Sequence, residues 1–108
     1  IVGVGLGHNM ENAAMLSKKA YLRPLGTHHH HPKGAKLEED LLEGLNKLGI
    51  GAQGLRGKHA AMEVHIESSA RHTATIGVNV ACYAHRRSVI RFKNDMSYEI
   101  LSHKGVTL

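Results

Sequence analysis

The sequence predicts an α+β fold, a mixed or antiparallel sheet with helices on one face. Two periodicities predict it. Residues 60–67 alternate apolar and polar side chains, and residues 76–82 form a short apolar run, as strands do. Residues 10–22 and 36–48 instead repeat their apolar or small side chains every three or four positions, as helices do. The resulting order is strand, helix, helix, strand, strand, strand, helix.

The first element, Ile1-Val2-Gly3-Val4-Gly5-Leu6, reads as a short buried strand. Gly7-His8-Asn9 turns it into a helix over residues 10–22, with Asn9 as N-cap and Glu11 in the positive first turn. Met10, Ala13, Ala14, Ser17, Ala20 and Tyr21 share one face, small enough for close packing. Lys18, Lys19 and Arg23 lie at the negative end, and Arg23-Pro24 stops the helix. Gly3, Gly5 and Gly7 invite a dinucleotide reading, but the fingerprint needs glycine where His8 stands. A tight strand-to-helix turn fits better, and such a helix start can still hold an anion.

Residues 25–32 form a loop with four consecutive histidines, His28 to His31, which reads as a solvent-exposed linker. Four adjacent residues do not all face one metal without a dedicated fold around them. The helix over residues 36–48 carries Leu37, Leu41, Leu42, Leu45 and Leu48 on its apolar face. Glu38, Glu39 and Asp40 crowd its first turns as a solvated face, and Gly49 ends it. Gly44, costing about 1 kcal/mol relative to Ala in mid-helix, is expected to mark a close contact. Residues 50–57 are a glycine-rich loop. Residues 88–93 alternate weakly as an edge strand, Asn94-Asp95 caps a short helix over residues 96–102, and residues 104–108 are expected to be poorly ordered.

The 108 residues make one small domain or a piece of a larger one, with a core of Leu, Ile, Val, Ala and Met, since aromatics are only 4%. A net charge of +5 favours anionic partners: a small dicarboxylate, an acidic subunit or nucleic acid. Base-stacking aromatics are few and scattered and no helix carries a basic stripe, which argues against nucleic acid. A single cysteine forms no internal disulfide, and no apolar run approaches the ~20 residues of a membrane span. We therefore expect a cytoplasmic protein with neither membrane nor nucleic-acid partner.

The chemistry concentrates in residues 54–87, which hold Cys82, four of the ten histidines and the Arg86-Arg87 pair. A thiol at the end of an apolar run, followed by cations, is where a thiolate would be stabilised, although a free cysteine is also commonly a small buried hydrophobe. Lys58-His59 is a cationic pair able to meet a carboxylate or simply to face solvent.

The words LSKKAYLRPLG, LNKLGIGAQGL, VHIESSARHTATIGV and CYAHRR run in family order over nearly the whole chain. By them it resembles the C-terminal part of the alpha subunit in the L(+)-tartrate dehydratase and class I iron–sulfur fumarase family. The resemblance implies residues 1–108 as a domain or fragment of a dehydratase alpha subunit. It also implies a hydro-lyase that dehydrates a hydroxy-dicarboxylate, most simply L(+)-tartrate to oxaloacetate, with fumarate/malate interconversion or a non-enzymatic basic binding module as alternatives. Cys82 would be one of three ligands of a [4Fe-4S] cluster, the others lying outside this chain. His72 would be a catalytic and substrate-binding residue, with Lys58 and Arg86 as further substrate contacts and Arg87 as added positive charge. A beta subunit or C-terminal domain would complete a hetero- or homo-oligomer, and the isolated chain would be inactive. The run from His72 to Cys82 is about two residues shorter than the family pattern, which in a strand keeps the facing of Cys82 but moves its depth by ~7 Å.

Overall fold

The structure is a computed structural model, and it describes residues 1–70, 72–82 and 84–102. In chain order it contains β1 (Val2–Gly7), α1 (Met10–Tyr21), α2 (Pro32–Lys47), a short 3-10 turn (Ala52–Gly54), β2 (Val64–Ser68), β3 (Thr75–Val80), β4 (Ile90–Phe92) and β5 (Tyr98–Ile100). Strand β1 is central: it pairs in parallel with β2 and antiparallel with β3, giving a mixed sheet of order β2-β1-β3. The α+β class expected from the periodicities is the one observed.

The glycines of β1 set how closely α1 approaches. A Cβ on Gly3 would lie 2.0 Å from the carbonyl oxygen of Ser17, and one on Gly5 would lie 2.0 Å from that of Ala13. Ala13, Ser17 and Ala20 are the buried residues of α1, so a small-residue strand face meets a small-residue helix face, backbone almost to backbone. The spaced glycines therefore serve packing, Gly7 included, where a Cβ would lie 2.5 Å from the Ala13 backbone nitrogen; the turn into α1 is His8-Asn9. Asn9 caps α1 as expected, its side chain accepting from the Asn12 N–H at 2.8 Å. Met10 and Ala14 are exposed rather than part of the buried face.

Side chains alternate across a strand, so the other sheet face presents Val4, Val64 and Ile66. Leu42 and Leu45 of α2 pack there, while Leu37, Leu41 and Leu48 stay largely exposed. The two helices thus serve opposite faces of the sheet, where a single helical face was expected.

Helix α2 begins earlier than its leucine period implies. Pro32 takes the first helical position and His31 is the N-cap, accepting from the Lys33 N–H at 3.2 Å. The histidine run is therefore not a free linker throughout: His28 and His30 are exposed, whereas His29 is half-buried and its N–H donates to Glu38 at 2.9 Å. With the start moved to Pro32, the first turn holds no acidic residue. Glu38 departs furthest from expectation. It is buried at 3% exposure and accepts from Arg23 at 2.8 Å and from the Ile66 N–H at 2.7 Å. Arg23 in turn donates to the Ile66 carbonyl at 3.0 Å. The pair occupies both backbone groups of Ile66 on the open edge of β2, where an unpaired strand would otherwise recruit another chain. Gly44, expected to mark a close contact, has nothing within 4 Å.

Strand β2 starts at Val64, so the alternation of residues 60–63 belongs to a loop. The C-terminal helix expected over residues 96–102 is instead β5, the return strand of a hairpin with β4. Met96 sits in its turn at φ 65°, a left-handed conformation no helix tolerates. The tail beyond Ser102 lies outside the described residues.

Candidate functional site

Cys82 follows β3, whose last rung is extended by an Ala81 N–H donating to the Ile1 carbonyl at 3.0 Å. Its thiol is free and exposed, which excludes the reading of a buried small hydrophobe. It opens on a largely apolar cleft of ≈ 640 Å³ whose walls include Val2, Gln53, His59, Met62, Val80 and His85. Two loops hold these walls. Asn46 of α2 accepts from the N–H groups of Ala60 and Ala61 at 2.7 and 3.1 Å and so fixes the segment after His59. The glycine-rich loop closes on itself through Arg56 N–H to the Ile50 carbonyl at 2.7 Å. It holds Gln53 and Arg56 at φ 55° and 67°, conformations that cost non-glycine residues energy. Gly51 is buried beneath, where a Cβ would lie 2.1 Å from the Arg56 backbone.

The N–H of His85 donates to the Cys82 carbonyl at 2.9 Å, and its ring meets Tyr21 edge-on at 5.3 Å between centroids. The His85 Nε2 is buried without a hydrogen-bond partner among the described residues. His59 and His85 are the imidazoles on the Cys82 cleft; His59 was noted in the sequence only as half of the Lys58-His59 pair, and His85 was not singled out. The clue was the three-residue step from Cys82 to His85, which one turn spans.

The other expected site residues lie apart from Cys82. Arg87 donates to the carbonyls of Tyr21 and Arg23, both at 2.8 Å, satisfying groups that the end of α1 leaves open. Its charge is committed to that helix end. Arg86 is exposed on a neighbouring cleft with Pro24, Leu25 and Ser88. Lys58 is exposed beside Glu39, Glu43 and Lys47 of α2. His72 is exposed at the far end of β3, where Thr73 donates to the His8 carbonyl at 2.8 Å. Five residue steps of β3 put ~17 Å between the strand's two ends. Within one chain, His72 and Cys82 therefore do not meet.

Sequence comparison supplies what the geometry leaves open. A model of the family described as fumarate hydratase (Fumerase) matches residues 1–91. The chain belongs to that family. It is 56% identical over 105 residues to the L(+)-tartrate dehydratase subunit alpha of Escherichia coli (strain UTI89 / UPEC), covering 95% of this chain and 35% of that protein. It is 55% identical to the protein of the same name in Shigella sonnei (strain Ss046), with the same coverage. Against the putative L(+)-tartrate dehydratase subunit alpha of Methanocaldococcus jannaschii it is 44% identical over 97 residues, covering 88% of this chain and 34% of that protein. The chain thus spans about a third of the length of these relatives.

Among the described residues no three His, Cys, Asp or Glu side chains are grouped to hold a metal, and no helix is long and apolar enough to cross a membrane. Cys82 nonetheless suits an iron–sulfur cluster as a single ligand: its thiol is free and accessible, and the cleft is apolar. Such clusters are held by several thiolates, so one cysteine fits only a shared site.

Proposed function

We propose that the protein is part of the alpha subunit of an iron–sulfur hydro-lyase acting on a small hydroxy-dicarboxylate. L(+)-tartrate is the favoured substrate; loss of water and tautomerisation give oxaloacetate. The observation that carries this reading is the 56% identity to an L(+)-tartrate dehydratase subunit alpha across nearly the whole chain. The family match leaves fumarate/malate interconversion as the second reading.

In this reading Cys82 provides one thiolate of a cluster whose remaining ligands lie outside residues 1–108. Bound there, the cluster supplies Lewis acidity that weakens the substrate's carbon–hydroxyl bond. Val2, Met62 and Val80 give the cleft an apolar lining, with Met62 and Val80 themselves 71% and 72% exposed. His59 and His85 line it with groups able to hydrogen-bond a carboxylate. Lys58 and Arg86 contribute positive charge on neighbouring surfaces rather than direct contact at Cys82. A partner subunit completes the enzyme, and the isolated chain is inactive.

The test uses the full-length protein with its partner subunit, purified anaerobically and supplied with L(+)-tartrate or malate. Oxaloacetate from tartrate, with bound iron, is expected. Cys82→Ser should abolish turnover and lower the iron content, because a hard hydroxyl replaces a soft thiolate. A folded Cys82→Ser protein with wild-type iron and turnover would remove Cys82 from the site.

A further inference from the structure

The glycine-rich loop after α2 keeps two non-glycine residues in the left-handed region. Gln53 stands at φ 55° and ψ 24°, and Arg56 at φ 67°. Gly49, Gly51, Gly54 and Gly57 take the other positive φ angles, so glycine is this loop's own solution wherever the chain turns left-handed. The backbone holds the conformation. Ile50 bridges Gly57, and the N–H groups of Gly54 and Leu55 donate to the carbonyls of Gly51 and Ala52 at 3.3 and 3.1 Å. A side chain kept at such a position calls for a use, since strain of this kind gathers where a protein binds or reacts.

The two strained residues differ in what they border. Gln53 lines the Cys82 cleft, and Arg56 does not. Gln53 is exposed, and its carboxamide makes no hydrogen bond among the described residues. The polar side chains on that cleft, among the described residues, are Gln53, His59, Cys82 and His85. The two nitrogens of an imidazole point away from each other, and a thiol offers one weak donor. A carboxamide instead presents an acceptor oxygen and a two-donor nitrogen side by side. That pair complements a hydroxyl next to a carboxylate: the oxygen accepts from the hydroxyl while the nitrogen donates to the carboxylate. We propose that Gln53 is a substrate-binding residue of the Cys82 cleft, its carboxamide holding an α-hydroxycarboxylate end of the substrate through both bonds. Tartrate carries such a group at each end, and malate carries one.

This inference deepens the proposed function and rests on it, and the experiment separates the two. Wild-type, Gln53→Gly, Gln53→Glu and Arg56→Gly enzymes are prepared full-length with the partner subunit under anaerobic conditions. Melting temperature, bound iron, kcat and KM are measured on L(+)-tartrate and on malate. Glycine takes a positive φ freely, so Gln53→Gly should melt no lower than wild type and keep its iron. Its KM should rise ~tenfold, the worth of two neutral hydrogen bonds, with kcat little changed. Gln53→Glu keeps the shape but sets a negative charge against an anion and should raise KM further. Arg56→Gly relieves the same strain away from the cleft and should keep the wild-type KM. A wild-type KM in Gln53→Gly overturns the inference, as does a KM for Gln53→Glu below that of Gln53→Gly. An equal rise in KM in Arg56→Gly also overturns it and assigns the strain to the shape of the loop. So does a fall in melting temperature or bound iron in Gln53→Gly, which makes the side chain a packing contact of the rest of the subunit. Wild-type enzyme that turns over neither substrate refutes the proposed function and this contact with it. Wild-type turnover with an unaltered KM in Gln53→Gly refutes the contact alone.

Discussion

Replacing Glu38 tests how this small sheet protects its edge. The carboxylate accepts from Arg23, from the His29 N–H and from the Ile66 N–H, and only 3% of the residue is exposed. Glu38→Ala removes the acceptor of all three hydrogen bonds at once. It leaves the Ile66 N–H unsatisfied and the Arg23 guanidinium, 18% exposed, with Glu67 at 3.7 Å as its remaining carboxylate. Breaking a buried ion pair by removing one partner costs ~3–5 kcal/mol. Glu67 and residual solvent still serve Arg23, so we expect ~3 kcal/mol, the low end of that range. Glu38→Gln keeps the shape and an acceptor and should cost about half as much, near the ~1.5 kcal/mol of a charged hydrogen bond made neutral. Urea unfolding followed by circular dichroism measures both, and a double-mutant cycle with Arg23→Ala should show coupling of at least ~1 kcal/mol. A loss below ~1 kcal/mol for Glu38→Ala, or simple additivity with Arg23→Ala, would refute the edge-clasp argument.

Three further outcomes follow from local geometry. Gly5→Ala and Gly44→Ala should act with opposite signs in thermal melts. The first drives a Cβ to 2.0 Å from the Ala13 carbonyl oxygen and should cost ~3 kcal/mol or prevent folding, while the second adds a Cβ to open space in a helix and should gain up to ~1 kcal/mol. His31→Ser should leave stability unchanged or improve it, because Ser is a better N-cap, whereas His31→Ala should lower it by ~1 kcal/mol. At the hairpin turn, the Ser97 hydroxyl and N–H hold the Asp95 carboxyl below the usual carboxylate range. A carboxyl lowered on folding stabilises the folded form above its unfolded value and ceases to as pH falls through its folded value. A carbon-detected NMR titration should therefore place Asp95 below an ordinary aspartate, and Ser97→Ala should return it.

The elements that were legible in the sequence are those specified by their own neighbours. Helix α1 carries its cap in Asn9 and its packing face in Ala13, Ser17 and Ala20, all within twelve residues of one another, and β1 reads as apolar from end to end. Strand β5 failed because Met96, Ile100 and Leu101 fit a helical period as well as any. What makes Tyr98–Ile100 a strand is pairing with Ile90–Phe92 across a turn, which no local window contains. Glu38 failed for the same reason. Beside Glu39 and Asp40 it looks solvated, and only Arg23, fifteen residues earlier, and Ile66, twenty-eight later, bury it. At the site, Cys82 was legible through the words surrounding it. The place of His59 and His85 beside Cys82 was not, because it is set by the Asn46 clamp and by the turn that follows β3.

The separation of His72 from Cys82 constrains how any site using both is assembled. With the ~17 Å of β3 between them, no four-carbon dicarboxylate touches both in one chain. Any contribution of His72 to chemistry at Cys82 must then come from a second copy, as a two-fold symmetric pair would allow. The measurement is complementation in the full-length enzyme. Cys82→Ser and His72→Asn each spoil every site when expressed alone. In a mixed pair, one site receives both defects, and the other receives an intact Cys82 from one copy and an intact His72 from its partner. Co-expression in equal amounts should therefore restore about a quarter of wild-type turnover, half the pairs being mixed and one site in two being whole. If His72→Asn lowers turnover and co-expression restores none of it, the defect lies within a single chain, and the distance argument is wrong. Wild-type turnover in His72→Asn would instead remove His72 from the chemistry and leave His59 and His85 as the imidazoles that serve Cys82.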